Sequence, residues 1–196
     1  MGLGIDMLKY IYSLVFVLGF VFLGCKDDNS AESPVGAKEL VPSVIGNRWN
    51  YETLTPANSV SYHFNEITKD TMIQNEKWFV LAYDTLVNSY FINKADGLWF
   101  LSENGQPVLY YKNPAVSNDT YITSDSTHIK IVSNNEKIEV KAGTFNCIHY
   151  DTYNKYFAFD EYWAPGYGLI KLIKYQLNTN KQIVLENTEL ISYTLK

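Results

Sequence analysis

Three histidines, two cysteines and a few neighbouring carboxylates are the residues of this chain best suited to move protons or hold ions. His63, His128 and His149 lie far apart along the sequence. In His149-Tyr150-Asp151 the histidine and the aspartate fall on one side of an extended segment, a spacing at which a carboxylate can orient an imidazole. A nucleophile would have to join them, and no Gly-x-Ser-x-Gly turn is present. Asp160 and Glu161 are adjacent, so on a strand they point to opposite faces and cannot easily share one substrate bond. These two pairs carry a hydrolase reading, with a cell-surface or extracellular polymer as substrate. Asp27, Asp28 and Asp125 lack the ligand spacing of a calcium loop. No glycine-rich phosphate loop or dinucleotide fingerprint occurs. No catalytic residue is therefore assigned, and neither a metal nor a cofactor is expected.

The chain is richer in residues that bind than in residues that react. Aromatic side chains make up 15% of its 196 residues, with 16 tyrosines. Tyr and Trp offer a flat apolar face and a polar tip, which suits either an apolar or a glycan ligand. Trp78, Tyr83, Trp99, Tyr110, Tyr162 and Trp163 are the candidate lining residues, unless they simply fill the core. A net charge of -5 disfavours nucleic acid as a partner. Arg48 is the single arginine, so planar two-pronged recognition of phosphate or carboxylate is not expected either.

The elements that would position these residues are strands. From Val41 onward, apolar and polar residues alternate with period two. Val60, Tyr62 and Phe64 oppose Ser61, His63 and Asn65; Ile129 and Ile131 oppose His128 and Lys130; Ile138 and Val140 oppose Lys137, Glu139 and Lys141. Such alternation marks antiparallel sheet with one wet face. Gln74-Asn75, Asp96-Gly97, Asn104-Gly105, Asn134-Asn135, Ala142-Gly143 and Thr179-Asn180 read as turns between strands. At most one short helix fits, near Val41 to Gly46. The expectation is an all-β single domain of about 11 strands. A sheet that large must curl, giving a strongly curved, meander-like antiparallel sheet or open barrel.

The N-terminus has a different character. Ile11 to Gly24 is a 14-residue apolar run, short for a membrane span of ~20 residues but right for a signal peptide. Lys9 flanks it, and Asp6 before Met7 suggests that translation starts at Met7. The run stops at Cys25, and Lys26 to Leu40 is polar, aperiodic and broken by Pro34 and Gly36, which is the composition of a flexible tether. The chain thus divides into a signal peptide (1–24), a tether (25–40) and a β-rich globular domain (41–196).

"FLGC", Phe22 to Cys25, resembles the lipobox of bacterial lipoproteins, with Phe22 where that family usually has Leu. The resemblance implies cleavage after Gly24 and lipidation of Cys25, so the membrane is a partner through an N-terminal lipid anchor. An ordinary signal peptide or a single helical anchor is the alternative. Lys26, Asp27 and Asp28 resemble the acidic export signal of surface lipoproteins in some Gram-negative bacteria, which implies an outward-facing outer-membrane location. With Cys25 so used, Cys147 has no disulfide partner in the chain. Three further stretches resemble a group of β-rich bacterial lipoproteins of largely unknown function: "GNRWNYE", "VKAGTF" and "APGYGLIK". That likeness implies a curved-sheet carrier-like architecture, and on it the expected role is a non-catalytic envelope protein with a ligand on its concave face. A structural or protein-interaction module is a further alternative.

Overall fold

The structure is a computed structural model that describes residues 38–84, 87–177 and 183–196. Gly24, Cys25, Lys26, Asp27 and Asp28 lie outside the described residues, as does the turn expected at Thr179-Asn180.

Twelve strands form one antiparallel sheet. They are β1 (Arg48–Leu54), β2 (Val60–Ile73), β3 (Glu76–Tyr83), β4 (Val87–Lys94), β5 (Gly97–Leu101) and β6 (Pro107–Lys112), followed by β7 (Thr120–Ile122), β8 (His128–Val140), β9 (Gly143–Tyr153), β10 (Ala158–Ala164), β11 (Gly168–Tyr175) and β12 (Val184–Thr194). The spatial order is β6-β5-β4-β3-β2-β1-β12-β11-β10-β9-β8-β7. Every sequential pair is hydrogen-bonded except β6 and β7, and β1 pairs with β12. The chain is a meander whose two terminal strands meet in mid-sheet, with the open seam at β6 and β7. The described residues contain no helix, so the short helix expected near Val41 to Gly46 is absent. That segment instead ties its backbone to Ile67 and Asn93, which competes with helical pairing.

The turn chemistry works as expected at several hairpins. Gln74 and Asn75 both take positive φ (51° and 64°), the requirement of a two-residue hairpin between β2 and β3. Asn134-Asn135 is a correction. The pair does not turn the chain but lies inside β8, where the register with β9 shifts between Ile131 and Glu136. Two segments that look like separate strands are one long strand with a bulge. Bulges bend and twist a sheet, and register shifts also occur in the β1–β12, β2–β3, β5–β6, β10–β11 and β11–β12 pairings.

The curl is tight enough to bring distant strands together. The β8–β9 hairpin reaches β12, where the Ala142 N–H donates to the Leu190 carbonyl, and Lys141 pairs with Glu52 on β1 at 2.7 Å. Across the open seam, tyrosine hydroxyls take over from backbone pairing. Tyr121 donates to the Tyr110 carbonyl (2.6 Å), accepts from the Lys112 N–H (3.2 Å), and Tyr150 donates to the Lys112 carbonyl (2.7 Å). Unpaired edge groups invite intermolecular pairing, and these bonds satisfy several of them internally.

Residues 38–47 strap one end of the sheet. Leu40, which the sequence places at the end of the tether, is buried beside Val41. The strap is held by Asn113 Nδ2 on the Lys38 carbonyl, Asn93 Nδ2 on the Val41 carbonyl and the Gly166 N–H on the Glu39 carbonyl. Asn47, fully buried, bonds the Pro42 carbonyl through Nδ2 and accepts the Lys196 N–H through Oδ1, linking strap to C-terminus.

Gly97 begins β5 with φ at 145°, and a Cβ there would sit 2.1 Å from the Tyr111 carbonyl oxygen. Gly97→Ala should therefore push β5 and β6 apart at the seam and destabilise the fold by roughly 1–3 kcal/mol. Urea unfolding monitored by tryptophan fluorescence checks this, with Gly105→Ala, which meets nothing within 4 Å, as the milder comparison.

Candidate functional site: a cavity inside the curled sheet

On β2 the faces are reversed relative to the usual apolar-inside rule. Val60 and Tyr62 are exposed (46% and 68%), whereas half-buried His63, buried Asn65 and, at the exposed end, Ser61 line a cavity that opens to solvent. Register explains how they are held. Across from them on β1 stand Thr53, Tyr51 and Trp49, one partner each. Tyr51 stacks on the His63 ring at 5.3 Å. Burial drives the Tyr51 phenol pKa up and the His63 pKa down, Asp84 partly opposing the latter.

The cavity measures about 590 Å3, within the usual range for small-molecule sites. β1 and β2 form one wall. β10, β11 and β12 form another, through Phe159, Glu161, Trp163, Leu172, Lys174 and Thr188. Tyr83, Phe100 and Tyr111 reach in from β3, β5 and β6. Behind them an aromatic chain runs through the inner layer: Phe79 to Phe91 (5.8 Å), Phe91 to Phe100 (6.4 Å), Phe100 to Tyr111 (6.5 Å) and Tyr111 to Trp163 (4.5 Å). At the wall formed by β11 and β12, Lys174 and Glu186 pair with each other at 3.0 Å.

Two features of the wall are unusual for an interior that only packs. Glu161 is a buried carboxyl, 5% exposed, that accepts a 2.6 Å hydrogen bond from the Tyr111 hydroxyl. Burial raises its pKa and the Tyr111 bond opposes the rise. Among the described residues no lysine, arginine or histidine forms an ion pair with it. Second, the Asn65 Oδ1 and the Trp163 indole N–H are buried without hydrogen-bond partners. Unsatisfied buried polar atoms cost about 1–3 kcal/mol each, a cost that a ligand or solvent reached by a small side-chain shift would remove.

The sequence-derived residues are divided by this geometry. Tyr83 and Trp163 line the cavity. Trp78 is fully buried on the other side of β3 from Leu81 and Tyr83, its indole N–H unpartnered. Trp99 donates to Asp96 at 2.8 Å, with Lys94 over its ring. Tyr110 is bound to Asp125, and Tyr162 stacks on His149 at 4.3 Å. These four do not line the cavity. Of the residues that sequence reading did not single out as lining, Trp49, Tyr51, His63 and Asn65 sit at positions of period two on the adjacent strands β1 and β2, and Glu161 lies on β10, with β12 and β11 between. The available signal was that polar set on β2 opposite Trp and Tyr on β1.

The hydrolase pairs do not converge on the cavity. Asp160 and Glu161 take opposite faces of β10, as their adjacency requires. His149 is oriented not by Asp151 but by Glu136 on Nδ1 and Asp160 on Nε2, both at 3.0 Å, and Tyr175 bonds the second Asp160 oxygen at 2.7 Å. Both ring nitrogens are thus occupied. Cys147 is buried and its thiol pushed up to about 12, chiefly by burial and secondarily by Glu136, so it is held in the unreactive protonated form. Among the described residues no group of three or more His, Cys, Asp and Glu side chains could hold a metal ion.

No protein-family model matches the chain, and no curated protein matches it. Solved structures do. One is a "putative lipoprotein" from Parabacteroides distasonis, at TM-score 0.55 and 12% identity over 81% of this chain and 99% of that one. Another is a "putative exported protein with YmcC-like fold" from Bacteroides fragilis, at TM-score 0.55 and 13% identity over 81% of this chain and 100% of that one. At these identities the likeness is one of fold, and it agrees with an all-β curved sheet.

The raised Glu161 pKa has a sign. The folded state holds this proton at a higher pH than the unfolded chain, so folding stability falls as pH rises from the ordinary glutamate range, near 4.5, through the folded pKa. Glu161→Gln, which cannot ionise, should be more stable than the parent at pH 8 and should lose that advantage at pH 4. Thermal melts across this range test the sign.

Proposed function

We propose that this chain is a lipid-anchored cell-envelope protein, facing outward from a Gram-negative outer membrane, that holds a small apolar or glycan ligand inside its curled sheet without transforming it. The observation that carries the binding role is the cavity wall. It combines stacked aromatic surface with a few convergent polar groups, Asn65, Glu161 and the Trp163 N–H, two of which lack partners. A merely packed interior would gain by replacing them with apolar groups.

Support for the anchor comes from the junction at Gly24-Cys25-Lys26-Asp27-Asp28 and from the words "lipoprotein" and "exported" applied to structures of like fold. Acyl chains on Cys25 would hold the domain stably, each buried methylene contributing about 0.8 kcal/mol. The hydrolase alternative draws no support from the geometry, since His149, Asp160 and Glu161 do not face one cleft and both nitrogens of His149 are engaged.

Two experiments test this reading. Cys25→Ser should abolish incorporation of labelled fatty acid; undiminished incorporation would contradict the anchor. Asp27→Ala with Asp28→Ala should reduce its cleavage by protease added to intact cells. For the cavity, a lipid and glycan array probed with the soluble domain should give binders that Ser61→Trp, which fills the space, removes at least tenfold. An array without Trp-sensitive binders would leave the sheet a structural or interaction module.

A further inference from the structure

The identity of the ligand can be narrowed, on the assumption that the cavity does bind one. Glu161 is enclosed by aromatic rings and by no cation. Tyr111 bonds it, Trp163 packs against Tyr111 at 4.5 Å, and Tyr150 meets Tyr111 at 5.0 Å. Phe159 and Trp163 flank it along β10 on the same face. A carboxyl inside an aromatic wall is a recurrent solution for binding an organic cation, because ring faces attract positive charge and the carboxylate neutralises it. The lysine in the wall, Lys174, is already paired with Glu186. Asn65 adds an unpartnered carbonyl oxygen, an acceptor suited to an N–H donor.

We propose that the cavity is a site for a protonated organic amine with a partly apolar body, its ammonium placed against Glu161 and Asn65. The aromatic rings of Tyr111, Trp163 and Phe159 cover the carbon skeleton. The indole N–H of Trp163 offers a place for an oxygen on the same molecule. In the empty cavity burial holds the Glu161 pKa above the ordinary glutamate value, with the Tyr111 and Thr152 hydroxyls opposing the rise. An ammonium supplies the missing counter-charge, so its binding draws the proton off Glu161 and releases it to solvent.

The groups facing Glu161 are consistent with one dominant titration. Tyr83 on β3, Tyr111 on β6, Tyr121 on β7 and Tyr150 on β9 all have phenol pKa values raised by burial, so they stay neutral through the working pH range. Asp160, next on β10, points to the other face, and its charge adds to the rise in the Glu161 pKa. His63 on β2 is the other cavity group that gains charge as pH falls, its pKa lowered by burial. The variant below separates its contribution.

The test compares octylammonium, octanol and octanoate by isothermal titration with the full chain carrying Cys25→Ser, so that no acyl group interferes. At pH 8 octylammonium should bind at least tenfold more tightly than octanol and octanoate. Proton release, read from the dependence of its enthalpy on the ionisation enthalpy of the buffer, should appear as the pH is lowered toward the Glu161 pKa, and its preference over octanol should shrink at pH 5. Glu161→Gln should remove that preference and the proton release. Equal or tighter binding of octanol or octanoate to the unsubstituted cavity overturns the amine assignment while leaving a binding cavity in place. Binding of none of the three, together with an array free of Trp-sensitive hits, overturns both.

Discussion

The pairing of β1 with β12 joins the first and last strands of the series, and the rest of the structure depends on it. Twelve antiparallel strands in simple succession would leave their first and last members as edges. Here those members bond to each other, and two aromatic hooks lock the join. The Trp49 indole N–H donates to the Tyr167 carbonyl, and the Tyr51 hydroxyl donates to the Leu169 carbonyl at 3.0 Å. Both acceptors lie on or beside β11, one strand beyond β12. Gly168, between them, has φ at 95° and lies so close to the Trp49 ring that an added Cβ would be 3.4 Å from it. The stretches "GNRWNYE" and "APGYGLIK" therefore meet in space. "VKAGTF" joins them through Phe145, whose ring lies 5.2 Å from Tyr167. One contact region accounts for three separate sequence signatures on packing grounds.

That closure dictates where the open seam must fall and what the inside must contain. With the ends joined, the break passes to β6 and β7, halfway along the chain, where tyrosine hydroxyls replace ladder bonds. A sheet curled this far has an inner face too large for its side chains to fill completely. The strap at residues 38–47, with Leu40 and Val41 buried, covers apolar surface at one end. The remaining space is the cavity, and many of the polar groups lining it sit on the joined strands β1 and β12 or on their neighbours β2, β11 and β10. Trp49 and Tyr51 thus serve both fold closure and the candidate site.

The all-β class, the meander and most turns were legible because they rest on local rules: period two and positive-φ turn residues. The dipeptide Asn134-Asn135 carried the chemistry of a turn but sits in a bulge of β8, a choice made by the long-range pairing with β9. The inner face of β2 was not legible. Val60, Tyr62 and Phe64 look like core, yet they face outward and Ser61, His63 and Asn65 face in. The rule that apolar residues point inward holds where the interior is packed, and it inverts where the interior holds a cavity with polar contacts. Of six aromatic residues offered as lining, Tyr83 and Trp163 reach the cavity, because which face a strand presents depends on curl and register as well as on residue type.

The central claim is that the curled sheet encloses space meant to be occupied, with polar atoms waiting in its wall. A high-resolution crystal structure of the purified protein tests this most directly. The account predicts density inside the sheet, from ordered water or a co-purified molecule, within hydrogen-bond distance of the Trp163 indole nitrogen and Asn65 Oδ1. An interior collapsed so that Trp163, Tyr111 and Tyr51 fill the space, with those two atoms bonded to protein, would contradict it.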